Sequence, residues 1–551
     1  MKQFTFEQKQ KNVLLGIIAL GAISLIASYF IDPTLQYSPT THTRFWTNLL
    51  QNSAFFTLIS FTAIFATAAT LTMYAGWHTA FKRIWEAMGL FLPVGLGGLL
   101  IVGIGSAMHL HHIYHWADAA EVAKDKILLG KSGFLNFKFY FLSILGFGGA
   151  WYFFMRKFRA MSLAQDNDVN DTNYSSYENV KVWAAAFLPI AGFTSAAAIW
   201  LWLMSIDAHW YSTMFAWYTT ASAWVSCVAI TILFLVYFKN KGLFPWVTTE
   251  HLHDLGKLLF AFSIFWTYLW FSQYMLIWYA NIGEETIYFR QRLGEFPVLF
   301  YGNFVLNFVL PFLILVRNDT KRKFGTLTFA SILILFGHWW DYFQMVKIGP
   351  YKSILDHHAK EHGGGHGATG AAHGAAEHAT TAAHGAEHAV GAVAQVGQTV
   401  AHGAEHATGT VAQAVTHGAE HAADAVGHAA DTLAHAGATA AHGAEHAAGA
   451  VGHAADTLAH AGATAAHSAE HVAKAVIETP ALDALAKSNA ENFFHYNQDL
   501  TAGFGLPGFL ELFTFLGFGA LFVYFVFNQL TKASLIPESD PYLEETLNHH
   551  T

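Results

Sequence analysis

One cysteine, Cys227, stands in 551 residues. A lone cysteine makes no internal disulfide, and covalent haem attachment takes C-x-x-C-H. An iron–sulfur cluster takes several cysteine ligands. None of these can be built within this chain, while a haem held by two histidines stays open. Charge is scarce too. Charged residues make up 12%, against about 25% for an ordinary soluble domain. The shortage is uneven, with long charge-poor runs through 13–346 and again near 507–529. That excludes an ordinary soluble enzyme and predicts an integral membrane protein. The net charge of −9 carries no basic excess, so nucleic acid is excluded as a partner.

What is abundant is apolar and aromatic: 54% hydrophobic residues, with 48 Phe, 21 Tyr and 17 Trp. A membrane-spanning helix takes about 20 apolar residues. Ten segments qualify, near 13–31, 54–76, 87–108, 137–155, 183–206, 218–238, 257–281, 298–316, 325–346 and 507–529. The expected fold class is an all-α polytopic membrane protein. The first segment follows Lys2, Lys9 and Lys11 but is long for a signal core and lacks an obvious A-x-A site, so it reads as a retained anchor. The N-terminus, the even-numbered short loops and the C-terminus hold sixteen Lys/Arg, against six in the other short loops. The positive-inside rule then places both termini in the cytoplasm. Residues 1–346 form the first nine spans, 347–490 an outward insertion, and 491–551 the last span with a cytoplasmic tail. Trp210, Tyr211, Trp217 and Tyr218 crowd span ends, as interfacial belts do.

Few charges lie within the spans. Lys138, Asp341, Glu511 and Lys257 each read as lying within a turn or two of an end, so no charged relay is expected at mid-membrane. Asn303 and Asn307 are the most polar deep positions, four apart on one face, and helix packing is the favoured reading for them over a proton path.

The insertion is a different kind of sequence. Residues 357–471 hold 20 of the 33 histidines among Ala, Gly, Thr and Val. AVGHAADTLAHAGATAAHGAEHA at 425–447 returns almost unchanged at 450–472. The period of 25 is close to seven turns at about 3.6 residues each, so a helix here would carry its histidines on one stripe. Imidazoles four apart, such as His417 and His421, could share Zn, Cu or Ni. A low-complexity linker grown by repeat expansion is the preferred reading.

Polar residues gather at the outward ends of four spans. The third ends in MHLHHIYHWAD, with His109 and His112, and the fifth in SIDAHWYSTMF, with Asp207 and His209. The seventh ends near Gln273, Glu284 and Glu285, and the ninth carries GHWWDYF, with His338 and Asp341. A quinone headgroup needs a donor to its carbonyl and an acceptor for the hydroquinone proton, and His with Asp supplies both. The same groups could meet a docked extrinsic subunit. They crowd one surface, which argues against two stacked haems. On the inward side His253, Asp254 and Lys257 open the seventh span. They fit a proton entry port, or equally a capped helix start with an Asp254–Lys257 pair.

Three segments carry a resemblance: SIDAHWYSTMFAWY, HLHDLGKLLFAFSIFWTYLWFSQYMLIWYANIGEET and FGHWWDYFQMV. They resemble the second quinone-binding membrane subunit of bacterial alternative complex III, itself similar to NrfD-like polysulfide-reductase membrane subunits. The resemblance covers about 1–350 and 490–530. It implies two four-helix bundles, spans two to five and six to nine, flanked by spans one and ten. It implies a bacterial inner-membrane subunit of a quinol:cytochrome c oxidoreductase, with quinol (menaquinol) as mobile carrier and no redox metal of its own. Partners would be periplasmic iron–sulfur and c-type haem subunits and a homologous membrane subunit. Asp207, His209, His338 and Asp341 match positions at the outer bundle ends, with His109 and His112 nearby. The larger sibling subunit is the better-supported quinol site, so proton conduction or structural support is an alternative part for this chain. A scaffold within the same complex and a secondary metal transporter are the competing readings.

Overall fold

Helices fill the computed structural model, which describes residues 4–167, 175–361 and 501–547. Among the described residues the one non-helical pairing is a bridge between Ala502 and Leu506. Apolar runs in lipid require this, because every backbone N–H and C=O must find a partner inside the protein and a helix provides it within one segment.

In chain order the first half contains α1 (Gln8–Phe30), α2 (Thr43–Thr72), α3 (Lys82–Gly89), α4 (Leu92–Ala107), α5 (Ala119–Lys124), α6 (Lys126–Lys131), α7 (Phe137–Leu142), α8 (Gly148–Asn167) and α9 (Ser175–Trp202). It continues with α10 (Thr213–Asn240), α11 (Thr249–Ala280), α12 (Gly283–Gly294), α13 (Pro297–Phe304), α14 (Leu310–Leu315), α15 (Asn318–Arg322) and α16 (Phe324–Glu361). Beyond residue 500 come α17 (Phe509–Leu530) and α18 (Leu543–Leu547). Among the described residues eight stretches are long and apolar enough to cross a membrane: α1, α2, α3 with α4, α9, α10, α11, α13 with α14, and α17. The chain is a helical, multi-pass membrane protein.

Two of the ten expected spans fall outside these eight. Residues 137–155 are divided among α7, a π turn at Ser143–Phe147 and α8. Residues 325–346 form part of α16, where His338, Asp341 and Gln344 dilute the apolar run. The expected boundary at 346 is also displaced, since α16 continues to Glu361. Packing carries it on. Lys347 is buried and donates to Asn48 Oδ1 at 2.6 Å, and Tyr351 stacks on Phe504 at 4.8 Å. The histidine repeats and the boundary at 490 lie outside the described residues.

Helix α2 is central. It touches α1, α4, α9, α10, α16 and α17, and nearly all its side chains are buried. Helix α10 packs on α11 and α16, α8 packs on α9, and α13 and α14 pack on α16. Helix α1 buries little beyond Gly21, Ser24 and Ser28, where it crosses α17. Gly21 and Gly517 meet there, and a Cβ on Gly21 would come within 2.4 Å of Gly517 Cα. Small residues let two backbones approach this closely in a membrane.

Both ends are tied by buried charge. At the end expected to face outward, Glu511 accepts two bonds from Arg44, each 2.8 Å, and one from Asn48 at 3.1 Å. At the other end the tail after α17 returns to α3, where Lys82 pairs with Asp540 at 2.8 Å. Thr546 donates to Trp77 O at 3.1 Å. Burial and the Lys82 ammonium push the nearby His78 imidazole down to about 4.

Gly21→Leu should separate α1 from α17 and cost about 1–3 kcal/mol, read as a lower thermal midpoint in detergent. Gly16→Leu is the control, because a Cβ there meets nothing within 4 Å.

Candidate functional site

The candidate residues divide between a buried polar cluster and an open cleft. In the cluster, Tyr218 and Ser222 stand four apart on α10 and therefore share a face. Trp266 comes from α11, Asn303 from α13, and His338 and Asp341 from α16. All but Tyr218, itself buried, are fully buried. Asp341 accepts from all four neighbours: from Asn303 Nδ2 at 2.8 Å, Ser222 Oγ at 3.1 Å, Trp266 Nε1 at 3.2 Å, and the Tyr218 hydroxyl. Behind it, Asn307 donates to Asn303 Oδ1 at 2.6 Å and to Gly337 O at 2.9 Å. Asn307 sits in a second π turn, Val305–Val309. Gly337 makes room for it, since a Cβ there would meet Asn307 Oδ1 at 2.4 Å. His338 Nδ1 lies 2.9 Å from Ser222 Oγ, while its Nε2 is buried without a partner.

Asp341 therefore does not lie near a helix end. It is close to the middle of α16, because that helix runs on past 346. Asn303 and Asn307, expected to serve packing, are wired to the carboxylate. Tyr218 is buried against it and belongs to no interfacial belt. Trp210 is buried as well, whereas Tyr211 and Trp217 are exposed as expected.

Above the cluster, at the end expected to face outward, the loops between helices enclose a cleft of about 790 Å³. His112, Asp125, Asp207, His209, Tyr288 and Lys352 are among its lining residues. His209 Nε2 is 2.5 Å from Asp125 Oδ2. That hydrogen bond holds the Asp125 carboxyl below its usual range. Asp207 accepts from Arg292 Nη2 at 2.9 Å. Gly349 leaves space for it, since a Cβ there would meet Asp207 Oδ1 at 2.7 Å. Arg292 is buried and lies over the Tyr288 ring, and Tyr288 stacks on Trp210 at 3.9 Å.

Tyr288 lines the cleft and lies within electrostatic reach of both carboxylates. Burial pushes its phenol up, the Arg292 guanidinium pulls it down, and the carboxylates of Asp207 and Asp341 both push it up again. One tyrosine thus feels a cleft carboxylate and the buried one. Sequence reasoning missed it, and missed Tyr218, Ser222 and Trp266. The spacing of Tyr218 and Ser222 on an apolar helix was the available signal; Tyr288 had none beyond its place in an outward loop.

The other candidates separate. His109 is exposed, with a φ of 55°, and joins neither region. Its neighbour His111 is the buried one, held by Val102 O at 3.0 Å and packed on Trp46. Burial pushes that imidazole down to about 4. At the opposite end Asp254 and Lys257 pair at 2.5 Å, as their spacing predicts. His253 is buried there with neither ring nitrogen hydrogen-bonded, 3.6 Å from Glu250. Thr248 caps that helix together with His251. Among the described residues, no group of three or more His, Cys, Asp or Glu could hold a metal ion.

No family model matches the chain, and no curated protein matches it.

Two outcomes follow. Asp341→Leu strands four buried donors at about 1–3 kcal/mol each, so it should lower the thermal midpoint well below that of Asp341→Asn. His111 stays neutral when folded, while the unfolded chain protonates near 6.5. Its stabilising contribution is therefore complete above pH 6.5 and is lost as pH falls toward 4. The loss amounts to about 3 kcal/mol. His111→Gln should flatten that part of the pH–stability curve.

Proposed function

We propose that this chain is a membrane subunit of a respiratory quinol:cytochrome c oxidoreductase of the alternative complex III type, and that its own part is proton transfer beside a quinol-facing cleft. The observation that carries the reading is a buried, four-donor carboxylate, Asp341, beneath a charged outer cleft whose lining residue Tyr288 feels the charge of both Asp341 and Asp207. A carboxylate with several donors can exchange protons with neighbouring hydroxyls without leaving its site. The hydroxyls of Ser222 and Tyr218 are those neighbours, and His338 Nδ1 lies behind Ser222.

The cleft fits a quinol headgroup chemically. His112 and His209 supply imidazole, and Asp207 supplies a carboxylate. Quinol (menaquinol in the resembling family) brings two electrons and two protons. His209 and Asp207 would accept protons, and Arg292 would hold the Asp207 carboxylate in place. Electrons would pass to the periplasmic iron–sulfur and c-type haem subunits, docked over the loops that surround the cleft.

The two-bundle arrangement belongs to the same reading. Helix neighbours support it: α2, α4, α7, α8 and α9 contact one another, as do α10, α11, α13, α14 and α16. The two π turns support it further, since each falls in the third apolar segment of its proposed bundle. Ten spans, with both termini in the cytoplasm of a bacterial inner membrane, complete the reading.

A scaffold role within the same complex is favoured by one observation: every oxygen of Asp341 already has donors, as a structural clamp would. Asp341→Asn separates the two. The chain is purified from native membranes through a C-terminal tag, and haem spectra and copurifying subunits are recorded before turnover is measured. Proton transfer predicts normal assembly with quinol oxidation reduced about 10²-fold or more. Unchanged turnover would leave the scaffold. A colourless, solitary chain would sink membership of the complex.

A further inference from the structure

Away from the cleft, the end of α6, the end of α9 and the start of α10 enclose a second groove of about 290 Å³. This is at the small end for a ligand site. Phe134, Leu135, Trp200 and Met204 make its walls apolar, and no acidic residue lines it. Lys131 stands at its lip. The Lys131 ammonium donates to Ala208 O at 2.7 Å and His209 O at 3.2 Å, which uses two of its three N–H groups. Helix α10 starts in the same groove, and Ser212 at its N-cap position makes no side-chain bond to the first turn. A 28-residue helix presents unbonded amides and a partial positive charge at that point.

Trp210 also lines this groove. It is 2% exposed, and its indole N–H has no partner. The Trp200 indole N–H is likewise buried and unpaired. Two donors, one cation and one helix start thus meet an apolar slot. The surroundings are those of a membrane surface: Tyr211 and Trp217 are 57% and 67% exposed. Exposed aromatics of this kind mark the headgroup level of a bilayer.

We propose that this groove binds one anionic phospholipid. Its phosphate lies between Lys131 and the first turn of α10, one acyl chain lies along Trp200 and Leu135, and the Trp210 N–H donates to an ester carbonyl. The apolar walls select a lipid over a free anion. The paired positive features, in a groove that no acid lines although Glu284 and Asp125 lie within electrostatic reach of Lys131, select an anionic headgroup over a zwitterionic one.

Native mass spectrometry of the membrane-purified chain tests this, with phosphatidylglycerol and phosphatidylcholine added in turn. One phosphatidylglycerol should be retained in preference. Lys131→Gln should weaken that retention about fivefold, the worth of one lysine near a lipid headgroup. Gly130→Leu is the second variant, because Gly130 lines the groove and a Cβ there meets nothing within 4 Å. It should displace the lipid while leaving Lys131 in place. Equal retention of the two lipids, retention untouched by both variants, or a quinone bound in place of phospholipid would each overturn the proposal.

Discussion

A carboxylate buried away from water must be answered by donors from the protein, and Asp341 is the residue on which this requirement falls hardest. Its four donors come from three other helices, so the register of α10, α11 and α13 against α16 is fixed by one side chain. The constraint does not stop there. Trp339, two residues earlier on α16, donates to Asn52 Oδ1 at 3.2 Å and accepts from Gln51 through its backbone carbonyl. Asn52 in turn donates to Asn48 O, and Asn48 to Glu511. Polar contacts therefore run from α16 across α2 to α17, through a part of the molecule that is otherwise almost wholly apolar. Hydrophobic burial gives no direction between helices in lipid, and such hydrogen bonds supply it.

The long apolar runs were legible because twenty residues without charge have few fates. What the sequence hid were the places where a helix fails to follow its own composition. Helix α16 outlasts its apolar run because Lys347 finds Asn48 on a different helix, a contact no local pattern announces. That is also why Asp341 read as an end residue. Among the five residues at 109–113 the sequence marks three histidines equally, yet burial picks His111 for a structural role and leaves His109 and His112 exposed. Asp207 and His209 were legible as chemistry at a span end, but their partners were not. Arg292 and Asp125 come from other loops, 85 and 84 residues away in the chain.

The two π turns share a construction. Each lies in a helix that leads into a long final helix of its group, and each brings a polar side chain to that helix: Ser143 receives Trp202 Nε1 at 2.8 Å, and Asn307 reaches Gly337 O at 2.9 Å. A π turn widens the helix by one residue and is frequent at functional sites. In the second half the result is a line of amides leading to Asp341. In the first half Ser143 meets an indole, with Tyr140 and Tyr114 beside it and no carboxylate among its bonded partners. On the proposed two-bundle reading, the second half carries the chemistry and the first the packing.

The same contrast separates the two ends of the helices on the proposed reading. A proton route needs groups able to change partner. At the inward end Glu86 is locked between Arg83 at 3.0 Å and Arg159 at 2.6 Å, and Arg83 also holds Asp166. Such a cluster braces helix ends, because removing any member leaves a buried charge unanswered. His253 is different, buried beside Glu250 with both ring nitrogens unbonded. At the outward end Tyr288 stands between two carboxylates and lines an open cleft. Among the described residues, side chains able to take up a new partner thus include His253 and His78 on one side and His338 with Tyr288 on the other. Of these, His253, His338 and Tyr288 belong to the half of the chain that contains Asp341, so the proposed transfer path runs through that half while the ion pairs of the first half brace it.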